Sequence, residues 1–207
     1  MNQWLPEDYE PPAQNNIYFK PQKGTLSNPI GTSKIRILGD FRHAHTAVMG
    51  WVGWKHSIDG DEPLRGDMDE YDKIKNLSDD EPKHFWALTI WDYADEEVKC
   101  WDITQSTIQQ ALTSYANNSA WGDPRQYNIT ILRKGEQLST KYNLVAEPPI
   151  SDPPPESIEA AKAAKIDLRE LFAGESPFGV ESRSDEKPPV IMDQMPAGAE
   201  SLAEGIR

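Results

Sequence analysis

Cysteine is almost absent from this sequence of 207 residues, in which Cys100 is the only one. A single cysteine excludes an intramolecular disulfide framework and any zinc site that needs a pair of cysteines. An apolar run of about 18 residues, the length that a membrane-spanning helix requires, is missing as well. The first residues, MNQWLPE, have neither the basic nor the apolar stretch of a signal peptide. We therefore expect a cytoplasmic protein that makes no contact with a membrane.

Motifs of catalysis and of metal binding are missing too. The sequence contains no glycine-rich phosphate loop, no Gly-x-Ser-x-Gly motif and no cysteine–histidine pair at a useful spacing. His43 and His45 are spaced like two ligands on one strand face, but no cysteine or carboxylate cluster accompanies them, so we interpret them as loop residues. The acidic run 59–81 lacks the Asp-x-Asp-x-Asp-Gly spacing of a calcium loop. These absences predict a protein that is not an enzyme and holds no cofactor or metal.

Negative charge is concentrated in particular segments. The chain has 34 acidic and 21 basic residues, which gives a formal net charge of -13. Residues 59–81 contain 10 acidic and 3 basic residues and are predicted to form a solvated acidic loop, and residues 147–207 contain 13 acidic and 6 basic residues. The rest of 17–146 has 12 basic and 8 acidic residues. The folded body is therefore predicted to be cationic although the whole chain is acidic.

Proline marks a change of composition at residue 148. From there onward lie 9 of the 17 prolines and none of the 7 tryptophans. The run 148–155 favours an extended linker, residues 156–171 favour a short helix, and residues 185–207 have the composition of a disordered segment. The predicted organisation is an N-terminal arm over 1–16, a folded domain over 17–147 and a flexible acidic tail over 148–207.

Six apolar runs with β character lie in the predicted domain. In the first run, two isoleucines alternate with Lys34 and Arg36, as expected for a strand with one buried face. The six runs are 34–38, 49–56, 84–92, 97–102, 127–133 and 140–145.

One amphipathic helix is predicted between the fourth and fifth runs. Thr104 is a suitable N-cap, and the apolar stripe of the helix consists of Ile108, Ala111, Leu112 and Tyr115. Strands, one helix and a final hairpin are the order expected of a small Greek-key barrel. The sequence therefore predicts a mainly β fold: a five- or six-stranded Greek-key barrel of the oligonucleotide-binding (OB) type, flanked by an extended N-terminal segment and the acidic, proline-rich tail. A β-sandwich with one helix would give a similar pattern.

Aromatic and basic residues alternate with the apolar positions of the predicted strands. Aromatic rings stack on bases and cations contact phosphates, so this combination suits the binding of single strands. We interpret Trp54 and Trp86 as core residues, because they share the strand faces of Val52 and Leu88. Burial in the core is also the alternative for the three tryptophans among the predicted contacts. The predicted nucleic-acid-binding residues are Lys34, Arg36, Trp51, Lys55, Trp91, Lys99, Trp101 and Lys141.

Five segments of the chain resemble bacteriophage single-stranded DNA-binding proteins of the OB fold. The segments are 50–55 (GWVGWK), 83–88 (KHFWAL), 98–105 (VKCWDITQ), 121–124 (WGDP) and 127–131 (YNITI). The resemblance extends over about 17–147. It implies roles in DNA replication and recombination in the cytoplasm of a host cell, with an acidic C-terminal arm that recruits partner proteins and competes with DNA.

Two functions remain in competition at this point. The leading hypothesis is non-catalytic, sequence-tolerant binding of single-stranded DNA by base stacking and phosphate contacts, with RNA as a second candidate polymer because nothing in the sequence reads a 2′-hydroxyl. The alternative, which is based on the net charge of -13, is an acidic DNA mimic or adaptor that binds a DNA-processing enzyme.

The predicted tail contains a single segment with apolar anchors, residues 167–178. We expect Leu171, Phe172 and Phe178 in this segment to dock replication or recombination proteins. The alternative is that the segment packs on the barrel and stabilises it.

Overall fold

A computed structural model describes residues 17–136, 139–148 and 151–179. The predictions for 1–16 and 185–207 lie outside these described residues. Within them the chain is mainly β, with seven strands and three α-helices. The strands are β1 (Ile30–Ile37), β2 (Ala47–Ser57), β3 (Gly60–Gly66), β4 (Lys83–Asp92), β5 (Glu97–Ile103), β6 (Asn128–Lys134) and β7 (Lys141–Glu147). The helices are α1 (Tyr71–Leu77), α2 (Ser106–Ala116) and α3 (Pro155–Ala163), with short 3₁₀ helices at Pro124–Gln126 and Leu168–Ala173.

The strands form one antiparallel sheet centred on β4. The order along the sheet is β3-β2-β4-β1-β6-β7, and β5 pairs with the other edge of β4. The amides of Leu38 and Gly39 donate to the carbonyl of Thr89, and the amide of Thr89 donates to the carbonyl of Thr46. The backbone N–H and C=O of Thr89 point to the same edge of β4, and they bond to the residues next to β2 and β1. The strands β1 and β2 therefore lie end to end along that edge.

All six predicted strands and the predicted helix are confirmed by these elements. The helix α2 begins after Gln105 rather than Thr104, and no side chain caps it. The interpretation of 59–81 as a solvated loop is wrong, because these residues form β3 and α1. The strand β3 carries no apolar alternation, but it completes a hairpin with β2 from Trp51↔Gly66 to Ser57↔Gly60. The strand β3 therefore forms because its backbone hydrogen-bonds to β2, and its own sequence has no hydrophobic pattern that would indicate a strand.

The first core lies between one face of the sheet and α2. On β4 this face carries Leu88 and Ile90, and the helix contributes Ile108 and Leu112, all of them nearly inaccessible to solvent. Tyr127 also lies in this core, completely buried. The apolar stripe that predicted the helix is the surface that packs on the sheet.

The second core lies on the opposite face of β4 and is completed by the C-terminal part of the described chain. Phe85 and Ala87 alternate with the first-core residues of β4 and contact a cluster that contains Leu168 and Leu171. The amide of Leu168 also donates to the carbonyl of His45 at 3.0 Å. Residues 151–179 are therefore packed on the sheet, and the prediction of a flexible tail is wrong for this part. The predicted helix over 156–171 is shorter, since α3 ends at Ala163.

Candidate nucleic-acid interface

The two tryptophans predicted as outward stacking platforms are buried. Trp101 is 2% exposed and lies in the first core, edge-on to Phe19 with 5.7 Å between ring centroids. Trp91 is 5% exposed, between Arg36 of β1 and Val98 of β5 in the sheet register. The prediction that their rings face outward is wrong, because both faces of the sheet are covered at these two positions. Neither ring could stack on a base without moving.

Lys99, predicted to contact phosphate, lies inside the protein. Its ammonium group is 2.9 Å from Asp92 Oδ2 and also bonds to Asp95. Burial alone would lower the pKa of Lys99, but the hydrogen bonds that its ammonium group donates to the two carboxylates outweigh burial and raise the pKa. Lys99 therefore has a structural role as the centre of an ion-paired triad.

Arg36 is also an internal residue, with 1% of its surface exposed. Its Nη1 donates to the carbonyls of Arg125 and Ser151, and its Nη2 donates to Ser151 Oγ and the carbonyl of Asp152. A guanidinium group with four such partners is not available to a phosphate. The alternation of β1 correctly predicted that Arg36 and the isoleucines lie on opposite faces of the strand. The face of Arg36 was expected to meet solvent, but the C-terminal segment covers it.

The remaining predicted contacts are more accessible. Lys34 is partly exposed, and its Nζ lies 2.6 Å from Glu147 Oε2. Lys55 and Lys141 are exposed, and Trp51 is half-buried. These four residues lie at different places on the sheet rather than at one site.

The predicted partner-docking residues serve the protein's own second core. Leu171 is 1% exposed, and Phe172 packs on Phe85 with 6.1 Å between ring centroids. Phe178 is half-buried against the same cluster. In this conformation the segment 167–178 stabilises the sheet, which was the alternative interpretation of its apolar anchors.

A different set of aromatic residues forms a continuous surface, which we call the aromatic stripe. Its members are Phe41, Trp86, His84, Trp51 and Tyr71. The ring centroids are 5.5 Å apart for Phe41–Trp86 and 6.4 Å apart for Trp86–His84. They are 5.4 Å apart for His84–Trp51 and 4.8 Å apart for Trp51–Tyr71. Phe41 is 41% exposed and the other four are half-buried, so the stripe borders solvent along its length.

The sheet register produces the centre of the stripe. Trp51 of β2 pairs with His84 of β4, and Trp86 lies two residues further on the same face of β4. The indole Nε1 of Trp51 donates to the carbonyl of Met68 at 3.0 Å, which fixes the ring beside α1. Gly66 allows the helix to approach, because a Cβ there would lie 2.8 Å from Ile74.

Two polar atoms in the stripe lack a hydrogen-bond partner within the described part of the chain. They are His84 Nε2 and Trp86 Nε1, and both are shielded from solvent. An indole N–H is a donor and an imidazole nitrogen is a donor or an acceptor. Because both atoms are shielded, a ligand could reach them only if the surrounding side chains moved.

A cavity of about 390 Å³ extends the stripe beyond Phe41 and Trp86 towards α2. Leu112 contributes to its apolar wall, and two cations, Arg42 and Arg125, line it together with the carboxylates of Asp40 and Asp123. Arg42 is 74% exposed, so its outer nitrogens reach solvent.

The two arginines at this cavity share a carboxylate. Arg125 Nη1 is 2.6 Å and Arg42 Nη2 is 2.7 Å from Asp40 Oδ2, and Arg125 also pairs with Asp123. Hydrogen bonds from Arg42, assisted by the charge of Arg125, hold the pKa of the Asp40 carboxyl well below its usual range. The carboxylate stays ionised and orients both guanidinium groups at the end of the stripe.

Only part of the aromatic stripe could be predicted from the sequence. Trp51 was among the predicted contacts. Trp86 was interpreted as a core residue, and it does pack against the first core, although it is only half-buried. Phe41, Tyr71 and His84 were not considered. Phe41 lies in the 38–46 connection and Tyr71 lies in the segment expected to be a loop, so neither belonged to an alternating run. Only the pairing of β2 with β4 brings these rings together.

The described residues contain no helix long and apolar enough to cross a membrane, and no group of histidine, cysteine and acidic side chains arranged to hold a metal ion. No family model matches the sequence, and no curated protein matches it significantly.

Proposed function

We propose that this protein binds single-stranded DNA without sequence specificity and performs no chemistry on it, with the aromatic stripe as its stacking surface. The observation that carries the proposal is the row of five solvent-bordering rings with centroid separations of 4.8–6.4 Å. Every base has a π-face, so stacking on such a row tolerates any sequence. The proposal replaces Trp91 and Trp101 with Trp86 and Phe41 as the principal stacking residues.

The charges around the aromatic stripe favour contact of the DNA phosphates with one end of the stripe over the other. The Tyr71 end lies beside the acidic residues of β3 and α1, and the phosphates of a bound strand would be repelled there. The opposite end has the guanidinium groups of Arg42 and Arg125 at the cavity. A strand on the stripe therefore gains most by placing a phosphate near Phe41 and Arg42.

We also propose that the sheet is an OB-type Greek-key barrel with an added hairpin strand. In support, β1 and β2 lie end to end along one edge of β4 and correspond to two halves of one bent strand. With these halves counted once and β3 set aside, five strands remain, with α2 between the third and the fourth and a hairpin at the end. This is the order expected of the OB fold.

The test is a titration of the protein with oligo-dT, followed by quenching of tryptophan fluorescence at about 50 mM salt, with duplex DNA and oligo-U as comparisons. We expect quenching by oligo-dT that weakens as salt rises, since phosphate contacts release counterions. Equal or stronger binding of duplex DNA, or no binding of any polymer, would remove the proposal. The latter result would favour the acidic adaptor instead.

A further inference from the structure

A cavity of about 560 Å³ lies between α3 and the end of β1. We call it the α3 cavity. Ile37 and Leu38 line it on the side of the sheet, and Ile158 and Ala161 line it on the side of the helix. Its volume is within the range of about 300–1,000 Å³ that is usual for ligand-binding pockets. The residues that were predicted from the sequence to bind nucleic acid are not among those that line it.

One face of α3 is turned towards this cavity. Ile158, Ala161, Lys162 and Lys165 line it, and their spacing of i, i+3, i+4 and i+7 places them on one side of the helix, with Lys165 just beyond its last turn. Ile158 is 39% exposed, whereas Ser157 on a neighbouring face is completely buried. The helix therefore packs on the protein through other residues and leaves an apolar side chain at the cavity.

The α3 cavity adjoins the cavity at the end of the aromatic stripe. Ile37, Asp123 and Arg125 line both cavities, and both are open to solvent. Phe41 and Trp86, the last two rings of the stripe, line the cavity of about 390 Å³. The side chain of Arg125 is 32% exposed where the two cavities meet. The stripe, the smaller cavity and the α3 cavity are therefore consecutive parts of one surface.

The charges at the junction of the two cavities cancel. Asp40 pairs with Arg42 and Arg125, and Asp123 pairs with Arg125, so this junction cluster of four side chains is neutral. A guanidinium group has five N–H donors. Arg125 uses one donor on each of its three nitrogens for the two carboxylates. Two N–H groups of Arg125 therefore have no acceptor among the described residues and are available to a phosphate.

Positive charge at the α3 cavity comes from two lysines of the C-terminal segment. Lys162 and Lys165 are exposed where they line the cavity. Lys162 also pairs with Glu159 at 2.9 Å, but the two side chains are 68% and 75% exposed, so the pair contributes little. Asp152 is the one carboxylate in the lining that is outside the junction cluster. The lining of the cavity therefore keeps an excess of one positive charge.

We infer that the α3 cavity is a nucleotide subsite of the single-strand surface. The strand leaves the aromatic stripe at Phe41, passes Arg125, and places a base against Ile158 with its phosphate near Lys165. Apolar walls bury the faces of any base, so the subsite adds affinity without sequence specificity. The inference rests on the proposed function, and it assigns a DNA contact to residues 151–166. The resemblance implied a C-terminal arm that competes with DNA, whereas this part of the C-terminal region takes part in binding.

The first test measures whether DNA protects a thiol in the cavity. Ile158→Cys introduces the thiol, and the matched control is Ala163→Cys, an exposed position of α3 that lines a different cavity. Cys100 does not interfere, because it is buried and burial raises the pKa of its thiol. Alkylation by a maleimide is followed by mass spectrometry with and without oligo-dT of about 16 nucleotides. Tryptophan quenching is recorded in the same samples.

We expect saturating oligo-dT to slow alkylation at position 158 by at least about fivefold, because little of the protein then remains unbound. Alkylation at position 163 should not change. Unchanged alkylation at both positions, with tryptophan quenching intact, overturns this inference and leaves the proposed function standing. Equal protection at both positions also overturns it, since the shielding would not belong to the cavity. If oligo-dT neither binds nor quenches, the proposed function fails and the inference fails with it.

The second test fills the cavity. Ala161→Phe should weaken binding of the long oligo-dT by about fivefold or more, the lower end of the contribution of one stacked base. Oligo-dT of about 4 nucleotides, which the stripe alone accommodates, should bind as it does to the unaltered chain. The control Ala163→Phe should leave both affinities unchanged, and melting temperatures check that the variants fold. Unchanged binding of the long oligo-dT by folded Ala161→Phe overturns the inference, and if this variant does not fold, the alkylation result decides.

Discussion

Arg36 and Ser151 are joined by two hydrogen bonds, from Arg36 Nη1 to the Ser151 carbonyl at 3.2 Å and from Nη2 to Ser151 Oγ at 3.1 Å. They are 115 positions apart in the sequence. The contact attaches the start of the C-terminal segment to β1, the strand at the centre of the β4–β1–β6 pairing. Arg36 was predicted to contact phosphate, but in the structure it holds the C-terminal segment against β1.

Replacement of Arg36 should therefore affect stability rather than affinity. We expect Arg36→Met to lower the free energy of unfolding by about 3 kcal/mol, because several buried acceptors lose a charged donor. Urea denaturation measures the change, and Lys55→Met, at an exposed position of β2, should alter it by less than about 0.5 kcal/mol. Weaker oligo-dT binding by the folded fraction of Arg36→Met would restore Arg36 as a phosphate contact.

Phe41→Leu should weaken oligo-dT binding by about 1–3 kcal/mol, the usual loss for one stacked base. Phe41 is 41% exposed, so the change should leave the melting temperature close to that of the unaltered chain. The matched control is Phe178→Leu, the same substitution in the second core, which should lower stability and leave affinity unchanged. The reverse pattern would show that the stripe is only a packing surface.

Leu171→Ala should lower the free energy of unfolding by about 2–5 kcal/mol, because the side chain is 1% exposed and its removal leaves a cavity in the second core. Leu26→Ala provides the comparison, since Leu26 is fully exposed and should change stability by less than about 0.5 kcal/mol. Both are measured by chemical denaturation. If the two variants are equally stable, residues 167–178 do not complete the core and the docking interpretation returns.

The stability contribution of His56 should depend on pH. Its Nδ1 lies 2.7 Å from Asp61 and its Nε2 lies 3.0 Å from Asp80, and hydrogen bonds to these two carboxylates raise the pKa of His56 above its ordinary value of 6.5. A raised pKa in the folded state means that the contribution is complete below about pH 6.5 and is lost as pH rises through the folded pKa.

Melting temperatures between about pH 5.5 and 8.5 check this pH dependence. The difference between the unaltered chain and His56→Gln should be largest at the acidic end and should shrink as pH increases. Asp61→Asn should remove part of the same difference. A difference that grows with pH would show that neutral His56 is the favoured form.

Local pattern predicted the strands because each predicted strand carries its own alternation or apolar run. The two isoleucines of β1 and the stripe of α2 identify their elements without reference to the rest of the chain. The strand β3 was missed because its stability comes from pairing with β2, which is a relation between two strands. The aromatic stripe was partly missed for the same reason, since His84 meets Trp51 only through the register of β2 and β4.

The sequence predicted the mainly β class, six of the seven described strands, the helix α2 and the alternation of residues on each strand, because these depend on spacing along the chain. It did not determine which of the two alternating faces meets solvent. From Ala87 to Asp92 of β4 and from Lys99 to Trp101 of β5 both faces are buried, with α2 packed on one face and residues 151–179 on the other. Leu168 and Leu171, which cover Phe85 and Cys100, are more than 60 positions away from both in sequence, so no local pattern could indicate this contact. Long-range packing decides which side chains are exposed. It buries Trp91, Lys99 and Trp101, and it leaves Phe41 and Trp86 at the candidate surface.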